Sequence, residues 1–113
     1  MRTAIFVYQT TPISISTRES GLELCGMNAT TVPVPGGQDA HSLVFTPGVY
    51  KIDSDHCLEI EGDASLFEVV TARKENVPKL QLTSRASSTF TSLGAAALHA
   101  FLTIADAKQL ANP

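Results

Sequence analysis

The chain has 113 residues and a mass of 12.0 kDa, with 43% hydrophobic residues, 17% charged residues and a formal net charge of -3. A chain of this length can bury one hydrophobic core, so we predict a single domain over residues 1–113. The acidic balance argues against nucleic-acid binding, which depends on clustered Lys and Arg, and no apolar run is long enough to predict a membrane-spanning helix.

Apolar and polar residues alternate over most of residues 1–85, which predicts an antiparallel, β-rich region. The first apolar run, residues 4–8, is continuous and predicts a central strand that is covered on both faces. Residues 13–17 alternate cleanly, so we expect Ile13 and Ile15 to point inward and the intervening serines to point outward.

Two further segments extend the predicted β-region. Residues 22–25 repeat the alternation briefly and predict a short strand. Residues 31–37 are also predicted to be extended, but Pro33 and Pro35 cannot donate hydrogen bonds to a neighbouring strand. This segment is therefore predicted to lie at the edge of a sheet or in a long loop.

The second half of the β-region begins at a clear turn. Residues 43–45 predict a strand that leads into a turn, where Pro47 presets one backbone dihedral and Gly48 accepts a positive φ. Residues 66–71 continue the predicted meander beside the preceding strands. Residues 79–83 are predicted to form the last strand.

A hairpin is predicted around the loop at residues 54–56. Pairing Tyr50 with Ile60, and Ile52 with Leu58, places both apolar pairs on one face. A shift by one residue would expose these apolar pairs, so the alternation favours this register.

The fold class predicted from these elements is α+β: an antiparallel β-sandwich or a partly open β-barrel of seven or eight short strands, followed by one apolar helix. The helical pattern covers residues 88–110, and no residue within 86–105 is charged. Its apolar stripe spans about half of the helix circumference, more than one side of a small sheet can cover. We therefore predict a protein interface formed by Phe90, Leu93, Ala97, Leu98, Phe101, Leu102 and Ile104.

Four residues have the chemistry of a zinc site, since thiolate and imidazole groups bind Zn²⁺ tetrahedrally. No CxxC or HxxxH spacing brings any two of them together, and the loop around residues 53–57 is typical of a polar hairpin connection. A thiol nucleophile would be Cys25 or Cys57, activated by His41, His56 or His99. We predict no cofactor and retain as candidates Cys25, His41, His56 and Cys57.

Three carboxylates, Glu59, Glu61 and Glu68, project from the predicted solvent face of the meander. No pair of carboxylates at a fixed short separation indicates acid and base catalysis. We interpret these three residues as solubilising surface charge.

The function predicted from these features is a non-catalytic protein-binding or assembly module, which self-associates through its uncharged helix, most simply as a homodimer. The apolar run at the N-terminus is too short for the core of a secretory signal, so we expect a cytoplasmic location. Neither nucleic acid nor a membrane is a predicted partner.

Two other functions stay open at this point. One is a small-molecule-binding β-domain, in which the helix forms a lid over a barrel lined by Phe6, Tyr8, Tyr50 and Phe67. The other is a zinc- or thiol-dependent enzyme that uses His41, His56 and Cys57.

Overall fold

The computed structural model describes residues 2–18, 22–26, 31–34, 37–54, 58–73 and 83–90. The chain divides into two compact units, Met1–Thr71 and Ala72–Pro113. The first unit holds nearly all of the described β-structure, and the second holds a short helix. The single domain expected over residues 1–113 stays a prediction.

Eight strands are found among the described residues: β1 (Arg2–Val7), β2 (Thr11–Thr17), β3 (Leu22–Gly26), β4 (Thr31–Val34), β5 (Gly37–Phe45), β6 (Gly48–Asp53), β7 (Glu59–Gly62) and β8 (Phe67–Ala72). They form a five-stranded sheet with the order β4-β3-β6-β1-β8 and a three-stranded sheet with the order β5-β2-β7. Pairing is antiparallel in the three-stranded sheet and between β4, β3, β6 and β1. The predicted number of short strands and their antiparallel arrangement are confirmed.

The direction of β8 follows from its contacts with β1 and the residue after it. The Thr3 and Thr71 hydroxyls lie 3.5 Å apart at one end of the pair. At the other end, the Tyr8 N–H donates to the Leu66 carbonyl at 2.8 Å. Because the sequence numbers run in opposite directions between these two contacts, β8 is antiparallel to β1.

Both sheets contribute to one hydrophobic core, as the two layers of a β-sandwich do. The predicted inward direction of Ile13 and Ile15 is confirmed, since both side chains are fully buried in this core. The five-stranded sheet supplies further core side chains, and each contributes about 2 kcal/mol of stability on full burial. The buried members of this core are Ile5, Val7, Ile13, Ile15, Leu24, Val34, Phe45, Tyr50, Ile52 and Phe67.

Strand β1 is buried on both of its faces, as its continuous apolar run predicts. Its core face carries Ile5 and Val7, so alternation places Arg2, Ala4 and Phe6 on the opposite face. We call this opposite side of β1 and β6 the outer face. Its buried side chains explain why the run shows no polar interruption.

A charged pair closes one end of the outer face. Arg2 and Asp53 are partners in the β1–β6 register, and Arg2 Nη2 lies 3.7 Å from Asp53 Oδ2. The Arg2 side chain is 1% exposed and the Asp53 side chain 16%. Burial lowers the pKa of Arg2, whereas the Asp53 carboxylate raises it. The two charges therefore lie where each depends on the other for stabilisation.

The predicted hairpin around residues 54–56 is wrong. Strand β6 pairs with β1 and β3, whereas β7 belongs to the other sheet and pairs with β2. Tyr50 is opposite Ile5 instead of Ile60, and Ile60 is opposite Ile15. The alternation correctly assigned the face of each side chain, but it does not identify the partner strand. Strand β8 likewise belongs to the sheet that does not contain β7, so the predicted meander of these strands is also wrong.

A compact corner connects β5 in one sheet to β6 in the other. Gly48 has a φ of 156°, a conformation that glycine adopts readily because it has no Cβ. The Tyr50 hydroxyl donates to the Thr46 carbonyl at 2.7 Å, and the Tyr50 and Phe45 rings meet edge to face at 5.0 Å. The predicted turn is therefore present, but it joins two sheets.

Helix α1 spans Ser84–Thr89 in the second unit. Thr83 caps it, because its hydroxyl accepts from the Ala86 N–H at 3.2 Å, and the Phe90 N–H donates to the Ala86 carbonyl at the other end. Helix α1 shares only residues 88–89 with the predicted helix and ends at Phe90, so the C-terminal helix over residues 88–110 stays a prediction. Residues 91–110 of the predicted helix and 79–82 of the predicted strand lie outside the described residues. No helix within the described ranges is long and apolar enough to cross a membrane.

Candidate functional site

The candidate metal and thiol residues are not brought together where the structure describes them. Cys25 is exposed on β3, where it is opposite Lys51 of β6. His41 lies on β5 of the other sheet, opposite Ile15. His56 and Cys57 lie outside the described residues. Within the described part of the chain, no three His, Cys, Asp or Glu side chains are grouped to hold a metal ion.

The predicted helix interface is described only at its first residue. Phe90 is half-buried and ends helix α1. The other predicted interface residues lie outside the described residues, and the interface stays a prediction for Leu93, Ala97, Leu98, Phe101, Leu102 and Ile104.

The aromatic lining predicted for a small-molecule barrel does not form one surface. Tyr50 and Phe67 belong to the core between the sheets, whereas Phe6 lies on the outer face of β1. Residue Tyr8 follows β1 and donates from its hydroxyl to Glu68 Oε1 at 2.8 Å. The continuous apolar run did not show which of its residues face the core.

An open depression lies between β7 and β8, and we call it the β7–β8 groove. In the part of the chain that the structure describes, β7 ends the three-stranded sheet and β8 ends the five-stranded sheet. The groove therefore lies where the two layers of the first unit end together. Its volume is about 570 Å³, and its lining consists of Ile60, Glu61, Gly62, Ala64, Phe67, Glu68 and Val69.

The turn between β7 and β8 is held by a set of local hydrogen bonds. Asp63 Oδ1 accepts from the Ser65 hydroxyl at 2.6 Å and from the Ser65 N–H at 3.0 Å. These two bonds lower the pKa of Asp63, the side-chain bond having the larger effect. The Leu66 N–H donates to the Asp63 carbonyl, and the Tyr8 N–H donates to the Leu66 carbonyl. The turn is thus fixed to the end of β1 before any partner binds.

Gly62 has no side chain, so the Phe67 ring at the floor of the groove can lie close to the backbone of β7. A Cβ built at this position would lie 2.9 Å from Phe67 Cε1 and 3.2 Å from the Pro12 carbonyl oxygen. Since real Cβ atoms do not approach other atoms so closely, a larger residue would displace the Phe67 ring. The glycine therefore sets the depth and shape of the groove.

The carboxylates of the groove have no cation beside them among the described residues. Glu61 is exposed, and Glu68 is oriented by the Tyr8 hydroxyl. In the sequence, no Lys or Arg occurs between Lys51 and Arg73. The alternation of these residues predicts only solubilising surface charge, because it does not show that β7 and β8 end different sheets.

Comparison of the chain with protein-family models, with curated proteins and with solved structures finds no match. Function is therefore inferred from the residues and their geometry. Two features carry this inference: the uncharged segment that begins at α1, and the β7–β8 groove.

Proposed function

We propose that the protein is a non-catalytic protein-binding module that assembles with a second copy of itself through residues 88–110. The observation that carries this proposal is the segment 86–105, which contains no Asp, Glu, Lys or Arg in a chain with 17% charged residues. Large apolar surfaces without charge mark association sites in proteins.

The dimensions of the segment favour a second copy as the partner. In the predicted helix, the uncharged stretch 86–105 would be about 30 Å long, with an apolar stripe about half its circumference wide. The described helix α1 covers residues 86–89 of this stretch and ends at Phe90. A two-fold symmetric contact brings this stripe against an identical one and covers both at once.

The enzyme alternative gains no support from the described geometry. A thiol nucleophile needs an imidazole within hydrogen-bonding distance. Cys25 and His41 belong to strands of different sheets, so their backbone positions do not favour such a pair.

The test is the mass in solution of Phe101→Glu, measured by size-exclusion chromatography with light scattering. We expect wild type to be a multiple of 12.0 kDa and the variant to be a folded monomer. The matched control is Val44→Glu, because Val44 is apolar, 73% exposed and lies on β5. The control retains the wild-type mass.

Circular dichroism separates loss of assembly from loss of folding. If Phe101→Glu unfolds, the milder variant Leu98→Gln on the same stripe repeats the test. A monomeric wild type contradicts the proposal, and so does an unchanged oligomer in both variants.

A further inference from the structure

The β7–β8 groove has two edge strands, and each has one side without a hydrogen-bonded neighbour among the described residues. An edge strand presents a row of backbone N–H and C=O groups that can pair with an added strand. The groove thus offers backbone hydrogen bonds along its borders as well as side chains in its floor.

The floor of the groove is apolar. Phe67 supplies a ring that also reaches the core, and Ile60 is half-buried beside it. Val69, by contrast, is 40% exposed, which makes it one of the two large apolar side chains found exposed in the described ranges. Phe67 is buried beneath this surface, so Ile60 and Val69 supply the apolar area that a side chain of a partner can cover.

The rim of the groove is acidic. Glu61 and Glu68 line it, and Glu59 on β7 and Asp63 in the turn before β8 flank it. The segment 58–72 therefore carries four carboxylates and no Lys or Arg. Complementarity requires a positively charged occupant.

We propose that the β7–β8 groove binds an extended basic segment of a partner protein. Its Lys or Arg side chains pair with Glu61 and Glu68, and its alternate apolar side chains pack on Ile60 and Val69. An extended segment supplies both kinds of side chain because successive residues point to opposite sides. Its backbone adds hydrogen bonds at the strand edge.

The shape of the groove favours a peptide over a small molecule. Small-molecule sites enclose most of their ligand, whereas this depression is open between β7 and β8. Its turn is already held by the Asp63 and Ser65 hydrogen bonds, so little ordering is needed on binding. The inference extends the proposed protein-binding function to a second surface and does not depend on self-association through residues 88–110.

The probe is a short synthetic peptide in which lysine and valine alternate, titrated into isotope-labelled full-length protein and followed by NMR. We expect amide shifts concentrated in residues 59–69, with an affinity that falls as salt rises. A peptide of the same length in which glutamate and valine alternate is expected to cause none of these shifts.

Substitutions assign the binding to the carboxylates. Glu61→Gln is expected to weaken the lysine peptide about threefold, and the double variant with Glu68→Gln about tenfold. Glutamine keeps an acceptor for the Tyr8 hydroxyl, so the fold is retained. Glu23→Gln, at an exposed carboxylate of β3, is the matched control and leaves the affinity unchanged.

Several results would overturn the inference. These are shifts centred outside residues 59–69, equal binding of the glutamate peptide, or an affinity that the Glu61 and Glu68 variants do not change. Equal shifts with a simple alkylamine would assign the groove to small cations instead. Repeating the titration with Phe101→Glu separates the two proposals, since that variant loses assembly but retains peptide binding.

Discussion

The central strands and the edge strands of the first unit place charged and apolar residues in opposite environments. At the centre, β1 and β6 bury an arginine and a phenylalanine on the outer face, and the arginine pairs with a half-buried aspartate. At the edge, β7 and β8 carry carboxylates that meet no described cation, beside apolar side chains that are only partly covered.

The comparison shows how position in the sheet decides the role of a charge. A buried charge needs a partner, because its removal from water costs several kcal/mol. Arg2 and Asp53 are accordingly register partners. An exposed carboxylate such as Glu61 has no such requirement, and it is free to bind a partner. The centre therefore contributes stability, whereas the edge leaves carboxylates and Val69 exposed.

The largest expected effect comes from apolar truncation at the centre. Phe6→Ala removes a fully buried ring and is expected to destabilise the protein by about 3 to 5 kcal/mol. Val44→Ala, at an exposed position, should change stability by less than about 0.5 kcal/mol. Denaturant unfolding of both variants measures the difference. Equal losses of stability in the two variants would contradict the description of Phe6 as buried and Val44 as exposed.

Removing a charge should cost more stability on the central strands than on the edge strands. We expect this difference to be smaller than the one for apolar truncation. Arg2→Met leaves the mostly buried Asp53 without this partner and is expected to cost about 3 kcal/mol. Glu61→Gln should cost less than about 0.5 kcal/mol, because its carboxylate is exposed. The double variant Arg2→Met with Asp53→Leu is expected to recover part of the loss. If Arg2→Met and Glu61→Gln lose the same stability, Arg2 and Asp53 are not coupled as described.

The smallest expected effect is the titration of Asp63 in the turn. Its pKa is lowered in the folded state, so its ionised form contributes stability that is present above the unfolded-state pKa. That contribution is lost as the pH falls through the lower, folded-state pKa. Ser65→Ala removes the side-chain hydrogen bond and should raise the Asp63 pKa toward its ordinary value. An NMR titration of the carboxyl carbon measures this shift, and an unchanged midpoint would contradict the hydrogen-bonding account.

The sequence predicted which face most strand residues occupy. Ile13 and Ile15 point inward as their alternation indicates, and the continuous run at residues 4–8 does mark a central strand. Pro33 lies on β4, which ends the five-stranded sheet, as a residue without a backbone N–H predicts. These features depend on local chemistry, which the sequence contains directly.

Pairing partners were not predictable in the same way. The alternation in β6 and β7 fits a hairpin as well as it fits two separate sheets, since period two specifies a face and not a neighbour. The β7–β8 groove depends on that choice, because Glu61 and Glu68 line one surface only when β7 and β8 end different sheets. Candidate sites formed by distant strands therefore needed the structure.

The most direct test of the central claim, that this protein is an assembly module, is native mass spectrometry of the wild-type chain over a range of concentrations. The account predicts a clean multiple of 12.0 kDa with no added mass, and dissociation to the single chain only on dilution. A mass of 12.0 kDa at every concentration would contradict it.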